Sequence, residues 1–173
     1  MKMIRIQLLV LLSATILFNC GGKEEKKKQG FSYEKSSAQE NSEAKKLDAN
    51  VANIVLTAND MMQFNIKEIK VKAGQRVRLT LRHIGTLDVN IMGHNFVLLK
   101  QGADLVAFAT AAATQKENKY LPIDTEDVIA HTDIIGGGQV ATIEFEAPAV
   151  GAYEFLCSFP AHYAMMRGQF IVE

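Results

Sequence analysis

The sequence predicts an all-β fold, a β-sandwich with one short helix outside the two sheets. Residues 69–72 and 76–82 alternate apolar and charged side chains, which is the pattern of strands with one buried face. Glycine-rich turns such as residues 136–138 separate short segments of this kind, which favours many short strands. Residues 101–115 break this rhythm, because they are rich in alanine and lack proline, and they predict the helix.

The elements follow in order along the chain. The turn Ala73-Gly74-Gln75 lies between two alternating segments and predicts a β-hairpin over residues 69–82. The glycines at 136–138 mark a tight connection before the next strand. Strands are predicted at residues 51–57, 69–72, 76–82, 90–99, 140–145, 152–157 and 168–172.

The first residues predict export. Lys2 and Arg5 precede an apolar stretch at residues 6–18 that is too short for a comfortable membrane span, so residues 1–19 are interpreted as a cleaved signal peptide. Residues 17–22, Leu-Phe-Asn-Cys-Gly-Gly, resemble a bacterial lipobox, in which Cys20 would become the lipidated first residue. The alternative is ordinary signal cleavage, which would remove Cys20 or leave it as a stray thiol.

The rest of the chain divides into a polar segment and a domain. Residues 20–50 hold few large apolar side chains and predict a flexible tether, whereas residues 51–173, about 120 residues, have the size of one domain. The chain has 19 basic and 19 acidic residues, so it offers no basic stripe for nucleic acid. A disulfide between the two cysteines would consume Cys157, which lies among metal-type ligands, and two separate roles fit better. We therefore expect a periplasmic or cell-envelope protein, anchored through lipid on Cys20.

A metal site is predicted near the C-terminus. The segment at residues 157–166, Cys-Ser-Phe-Pro-Ala-His-Tyr-Ala-Met-Met, carries Cys157 and His162 with Met165 or Met166, and His94 lies upstream. One thiolate, two imidazoles and a weak thioether are the ligands of a blue-copper site. A buried inert cysteine and a methionine that merely fills the core are the alternatives for single residues.

Neighbouring residues are predicted to support this site. Gly93 has no side chain, so its carbonyl can approach the metal, and Asn95 can hydrogen-bond to the other ligand loop. His83 follows a strand pattern and is predicted to be a packed histidine rather than a ligand. His131 is assigned to a surface loop without a role.

Four parts of the sequence are similar to the azurins: residues 62–65, residues 92–98, residues 129–132 with Ile135-Gly136, and residues 157–166. The resemblance spans residues 51–173 and implies an eight-stranded Greek-key sandwich of the cupredoxin type. It also implies one type 1 copper ion held by His94, Cys157 and His162, with Met166 and the Gly93 carbonyl as axial ligands and Phe159 beside the site. The sequence departs from the azurins at Ala52 and Gln75 (no disulfide), at Phe96 (no tryptophan) and at Ala161 (no glycine).

The predicted function is one-electron transport by Cu(II)/Cu(I) cycling, without enzymatic activity or a small-molecule substrate. Electrons would pass through the ring edge of His162 to redox proteins, such as cytochromes or copper and haem reductases, that dock transiently. Copper storage or delivery is the alternative, and a Cys157–His162 hydrolase is a remote one, because no third orienting group stands out. The predicted apolar docking surface comprises Leu87, Ile91, Met92, Phe159, Pro160, Ala161 and Met165.

Overall fold

The computed structural model describes residues 50–173, which form a two-layer β-sandwich. The predicted signal peptide, Cys20 and all of the predicted tether except residue 50 lie outside the described residues. The helices are α1 (Val89–Met92) and α2 (Leu105–Ala112), with 3₁₀ turns at Lys116–Asn118 and His162–Ala164. The strands are β1 (Val51–Asn59), β2 (Gln63–Phe64), β3 (Glu68–Val71), β4 (Arg76–His83), β5 (Val97–Leu99), β6 (Val128–His131), β7 (Val140–Glu146), β8 (Gly151–Leu156) and β9 (Arg167–Val172).

The two sheets have the strand orders β2-β1-β4-β7 and β3-β9-β8-β5-β6. β1 runs parallel to β4, and β3 runs parallel to β9, while the other neighbours are antiparallel. This arrangement confirms the predicted Greek-key sandwich, with nine strands in the described part of the chain instead of about eight.

The predicted hairpin over residues 69–82 is wrong. The chain does turn tightly, since the amide of Gln75 donates to the carbonyl of Lys72 at 3.2 Å. However, β3 pairs with β9, whereas β4 pairs with β1 and β7 in the other sheet. The alternating pattern fixes which face of each strand is buried but not its lateral partner, and the two strands bury their apolar faces in one core from opposite layers.

The predicted strand over residues 90–99 is only partly correct. Asp88 caps a helical turn, α1, because its side chain accepts a hydrogen bond from the amide of Asn90 at 2.9 Å. Extended pairing begins only at β5. His131 is exposed as expected, but it ends strand β6 instead of lying in a loop.

The predicted helix is confirmed as α2. The side chain of Asp104 accepts hydrogen bonds from the amides of Val106 and Ala107, each at 3.0 Å, and so satisfies the open N-terminus of the helix. The helix packs in a small cluster with Val97 and Leu156, outside the main core between the sheets.

The main core fills the space between the sheets. Strand β4 alternates exposed and buried residues, so Val77, Leu79 and Leu81 are all fully buried. Phe96 is also fully buried, and its ring centroid lies 5.4 Å from that of Phe155. Phenylalanine thus fills the position where the resemblance predicts tryptophan, with no indole N–H to satisfy.

The strand directions bring the candidate site residues to one end of the sandwich. β1 and β4 end there at Asn59 and His83, and β8 ends just before Cys157. β9 begins at the same end, directly after Met166. Because each of these residues lies at or next to the end of a hydrogen-bonded strand, the sheets hold them in place.

Candidate metal centre

Three potential metal ligands come together at this end of the sandwich. The ligand atoms of His94, Cys157 and His162 all lie within 4.8 Å of one another, and all three residues are buried. Sγ of Cys157 lies 3.9 Å from Nδ1 of His94 and 3.6 Å from Nδ1 of His162. In the described part of the chain this is the cluster of histidine, cysteine and acidic side chains that could hold a metal ion.

Backbone hydrogen bonds fix the three ligands. His94 exchanges two hydrogen bonds with Ile135, both at 2.9 Å, in an isolated antiparallel bridge. The amide of Cys157 donates to the carbonyl of Met166 at 2.9 Å. This hydrogen bond closes residues 157–166, which we call the ligand loop. His162 begins a 3₁₀ turn, and its carbonyl accepts from the amide of Met166 at 2.8 Å. The loop is therefore tied at both ends.

The ring of His94 is oriented by a backbone carbonyl. Nε2 of His94 donates to the carbonyl oxygen of Asn59 at 3.0 Å, which leaves the lone pair of Nδ1 directed toward Cys157. The ring of His83 stacks on His94 with centroids 4.4 Å apart. His83 is buried and is held by the amide of Gly85 and the carbonyl of Met92, so it is a packed histidine, as the sequence predicted.

Burial controls the protonation of the three ligands. It lowers the pKa of His94 to about 4, with charge on His83 and His162 acting in the same direction. Burial, with charge on His83, also lowers the pKa of His162 to about 4, so both imidazoles are neutral at pH 7. Burial raises the pKa of Cys157 to about 12, although backbone N–H groups of Asn95 and Phe159 favour the thiolate. A bound cation must therefore displace the thiol proton.

The two candidate thioethers differ in their surroundings. Met166 is fully buried in the main core cluster, whereas Met165 is 51% exposed. The carbonyl of Gly93 lies 4.0 Å from Sγ of Cys157. A side chain at Gly93 would collide with the carbonyl of Val89 at 2.6 Å and with the ring of Phe159 at 2.8 Å, so this close approach requires glycine.

Asn95 links the two ligand segments. Its Oδ1 accepts from the amide of Ser158, and its Nδ2 donates to Oγ of Ser158, each at 2.9 Å. The hydroxyl of Ser158 donates in turn to the carbonyl of Tyr120 at 2.6 Å. Asn95 and Ser158 are both buried, so these bonds form where water does not compete.

Phe159 is a buried part of the site and not a part of the surface. It is 8% exposed, and its ring lies 4.7 Å from that of His162 and 4.9 Å from that of Tyr120. Its assignment to the docking surface is therefore wrong, because its ring packs against Tyr120 and His162 instead of facing solvent. Phe159 instead shields one face of the His162 ring.

The other predicted surface residues are accessible. Leu87 is 38% exposed and Ile91 is 64% exposed, Ala161 is also exposed, and Met92 and Pro160 are half-buried. Ala161 has φ of 67°, in the left-handed region that favours glycine, so its methyl group is tolerated at a strained position.

One ring nitrogen of His162 contacts solvent. Within residues 50–173, Nε2 of His162 makes no hydrogen bond, and every side-chain N or O atom sealed from solvent has a partner. Nε2 must therefore contact solvent, although the residue as a whole is only 3% exposed.

Sequence reasoning missed four supporting contacts. The carbonyl of Asn59 and that of Tyr120 act through the backbone, so their residue types carry no signal. Ser158, directly after Cys157, could have been found as a hydroxyl beside a ligand. The stacking of His83 on His94 needs the register of β4, which the sequence does not state.

The residues present fit a copper ion. The donor set is soft: it comprises a buried thiol, two neutral imidazoles whose Nδ1 atoms face it, and a nearby buried thioether. Copper prefers such ligands, whereas carboxylates and water suit harder metal ions. The hydrogen bond from Nε2 of His94 to the carbonyl of Asn59 and the backbone N–H groups directed at the sulfur are supporting contacts of the kind that such sites use.

Comparison with known proteins gives one consistent result. A family model described as copper-binding proteins of the plastocyanin/azurin family matches residues 49–173. Azurin-1 of Alcaligenes xylosoxydans xylosoxydans is 41% identical over 117 residues, covering 65% of this chain and 91% of its own length. Azurin of Pseudomonas chlororaphis is 42% identical over 123 residues, covering 67% and 94%. The reduced auracyanin of Roseiflexus castenholzii has a similar structure, with a TM-score of 0.63 and 35% identity over 70% of this chain and 96% of its own.

Proposed function

Because this chain belongs to the plastocyanin/azurin family of copper-binding proteins, we propose that it carries single electrons between redox proteins outside the cytoplasm. It is a blue-copper electron carrier with one type 1 copper ion. The observation that carries the proposal is the buried cluster of one thiol and two imidazoles at the strand ends.

We assign His94, Cys157 and His162 as the residues that would hold the copper ion, with Met166 and the Gly93 carbonyl as further ligands. The burial of Met166 supports its choice over the exposed Met165. When bound, copper supplies a one-electron couple. The protein supplies a dry site and neutral imidazoles, and it fixes the ligand positions through the hydrogen bonds of Asn59 and Asn95, so that little rearrangement accompanies a change of charge.

The docking surface is defined here as Leu87, Ile91, Met92, Pro160, Ala161 and Met165. It adjoins the ring edge of His162, the ligand that contacts solvent. Its exposed apolar side chains suit weak, short-lived contacts, which a carrier needs in order to release each partner quickly.

A charge on the docking surface should slow electron exchange without altering the metal site. Ala161→Asp places a carboxylate next to His162, and aspartate tolerates the left-handed backbone at this position better than most residues. We expect the self-exchange rate constant between Cu(I) and Cu(II) copies to fall about tenfold, because each encounter would bury an unpaired charge. NMR line broadening measures the rate, and visible absorption checks the copper site.

Val150→Asp is the matched control for this substitution. Val150 is 67% exposed and lies between the end of β7 and the start of β8, at the opposite end of the sandwich. This variant adds the same charge to the whole protein, so its exchange rate should stay near that of the parent. Equal slowing in both variants, or none in Ala161→Asp, would contradict the assigned surface.

Copper storage or delivery is the alternative use of the same ligands. All three donors are buried, and backbone hydrogen bonds of Cys157 and His162 with Met166 hold the ligand loop closed. Both features argue against fast release of the metal. The test is to cycle the protein repeatedly between ascorbate and ferricyanide in the presence of a Cu(I) chelator. A carrier keeps its copper and its colour through the cycles, whereas loss of copper to the chelator would favour storage or delivery.

We further propose a periplasmic or cell-envelope location with a lipid anchor on Cys20. The lipobox-like residues 17–22 support this, although they lie outside the described residues. Among residues 50–173, no helix is long and apolar enough to cross a membrane. We expect radiolabelled palmitate to be incorporated in a bacterial host, and Cys20→Ser to abolish both the label and membrane association. The expected partners are cytochromes or copper and haem reductases.

A further inference from the structure

Two adjacent methionines at the copper end of the sandwich differ completely in accessibility. Met165 is 51% exposed, whereas Met166 is fully buried in the main core cluster. The amide of Met165 donates to the carbonyl of His162 at 3.0 Å, and its carbonyl accepts from Nζ of Lys67. The backbone of Met165 is therefore held, while its side chain projects from the docking surface.

The geometry points to Met165 as an oxidation site that switches docking while the copper site survives. We propose that a two-electron oxidant of the peroxide class transfers one oxygen atom to Sδ of Met165. The thioether is oxidised to a sulfoxide, and hydrogen peroxide is reduced to water. The modification is reversible by methionine sulfoxide reductases, as for other exposed methionines.

The consequence follows from the position of the side chain. Sulfoxidation replaces a flexible apolar group with a strongly polar one, three residues after the ligand whose edge contacts solvent. A partner that covers Met165 must then desolvate the sulfoxide oxygen. Met166, which we assign as a further metal ligand, has no contact with solvent and should stay reduced. Oxidation would thus alter the thioether of Met165 on the docking surface and leave the thioether of Met166 unchanged at the metal site.

This inference rests on the proposed docking function, but it is tested separately. The Cu(II) protein is treated with hydrogen peroxide, the excess is removed with catalase, and tryptic peptides are mapped by mass spectrometry. We expect one added oxygen on Met165, none on Met166, and an unchanged blue absorption. The self-exchange rate constant should fall about tenfold when Met165 is fully converted to the sulfoxide, and by less at partial conversion.

Two variants make the test decisive. Met165→Leu keeps an apolar side chain that peroxide does not oxidise, so its exchange rate should resist the treatment. Met61 is 65% exposed on the turn after β1, and Met61→Leu should remain as sensitive as the parent protein. Oxidation of Met165 without slowing, or equal slowing in Met165→Leu, would overturn the inference. The self-exchange rate constant of the untreated protein tests the proposed electron-carrier function separately from the effect of oxidation.

Discussion

Cys157→Ser should abolish the intense visible absorption of the copper-loaded protein. The band of a blue-copper site arises from the thiolate–copper bond, and within the described residues Cys157 is the free cysteine beside the two imidazoles. A serine hydroxyl stays protonated and binds copper poorly, so the remaining histidines should give a pale site of lower affinity. Visible absorption and a copper titration measure both effects.

The second cysteine of the chain supplies the matched control. Cys20→Ser replaces the other cysteine of the chain with serine, at a position that the sequence assigns to lipidation. The colour and copper affinity of this variant should equal those of the parent protein. A blue band that persists in Cys157→Ser would contradict the ligand assignment, as would a band that disappears in Cys20→Ser.

Asn95→Ala should cost the metal-free protein about 2–3 kcal/mol of unfolding free energy. The change leaves the buried amide of Ser158 without its acceptor and the hydroxyl of Ser158 without one of its partners. A buried polar group that loses its partner carries a penalty of about 1–3 kcal/mol. The ligand loop would also be held less firmly, so we expect the reduction potential to shift. Urea unfolding and protein-film voltammetry measure the two effects.

Asn65→Ala is the control for burial. Oδ1 of Asn65 also accepts a hydrogen bond from a backbone amide, that of Thr57 at 2.7 Å, but Asn65 is exposed and water can replace it. We expect a loss below about 1 kcal/mol and no shift in potential. Comparable losses in the two variants would contradict the stabilising role assigned to the buried Asn95–Ser158 hydrogen bonds.

The sequence predicts the buried faces of this fold better than its pairing. The alternation in residues 76–82 correctly identifies Val77, Leu79 and Leu81 as core. The turn after Val71 is equally real, yet it joins two sheets and not two neighbouring strands. Lateral pairing depends on distant segments such as β9, and no local pattern carries that information. Similarly, one capping residue, Asp88, converts the start of a predicted strand into α1.

At the site, residue types are easier to predict than supporting contacts. Cys157, His162 and His94 are identified by their chemistry, and the structure brings their ligand atoms together. The choice between Met165 and Met166 depends on burial, which two identical neighbouring residues cannot reveal. The position of Phe159 under the loop also depends on packing, against Tyr120 and His162. Contacts made by backbone carbonyls leave no mark on residue identity.

The most direct test of the central claim is electron paramagnetic resonance of the protein loaded with one equivalent of Cu(II), recorded together with its visible spectrum. A type 1 site formed by His94, Cys157 and His162 predicts narrow copper hyperfine splitting and an intense blue band. A wide hyperfine splitting with only weak absorption would indicate a tetragonal site without a thiolate ligand, and it would contradict the proposed copper centre.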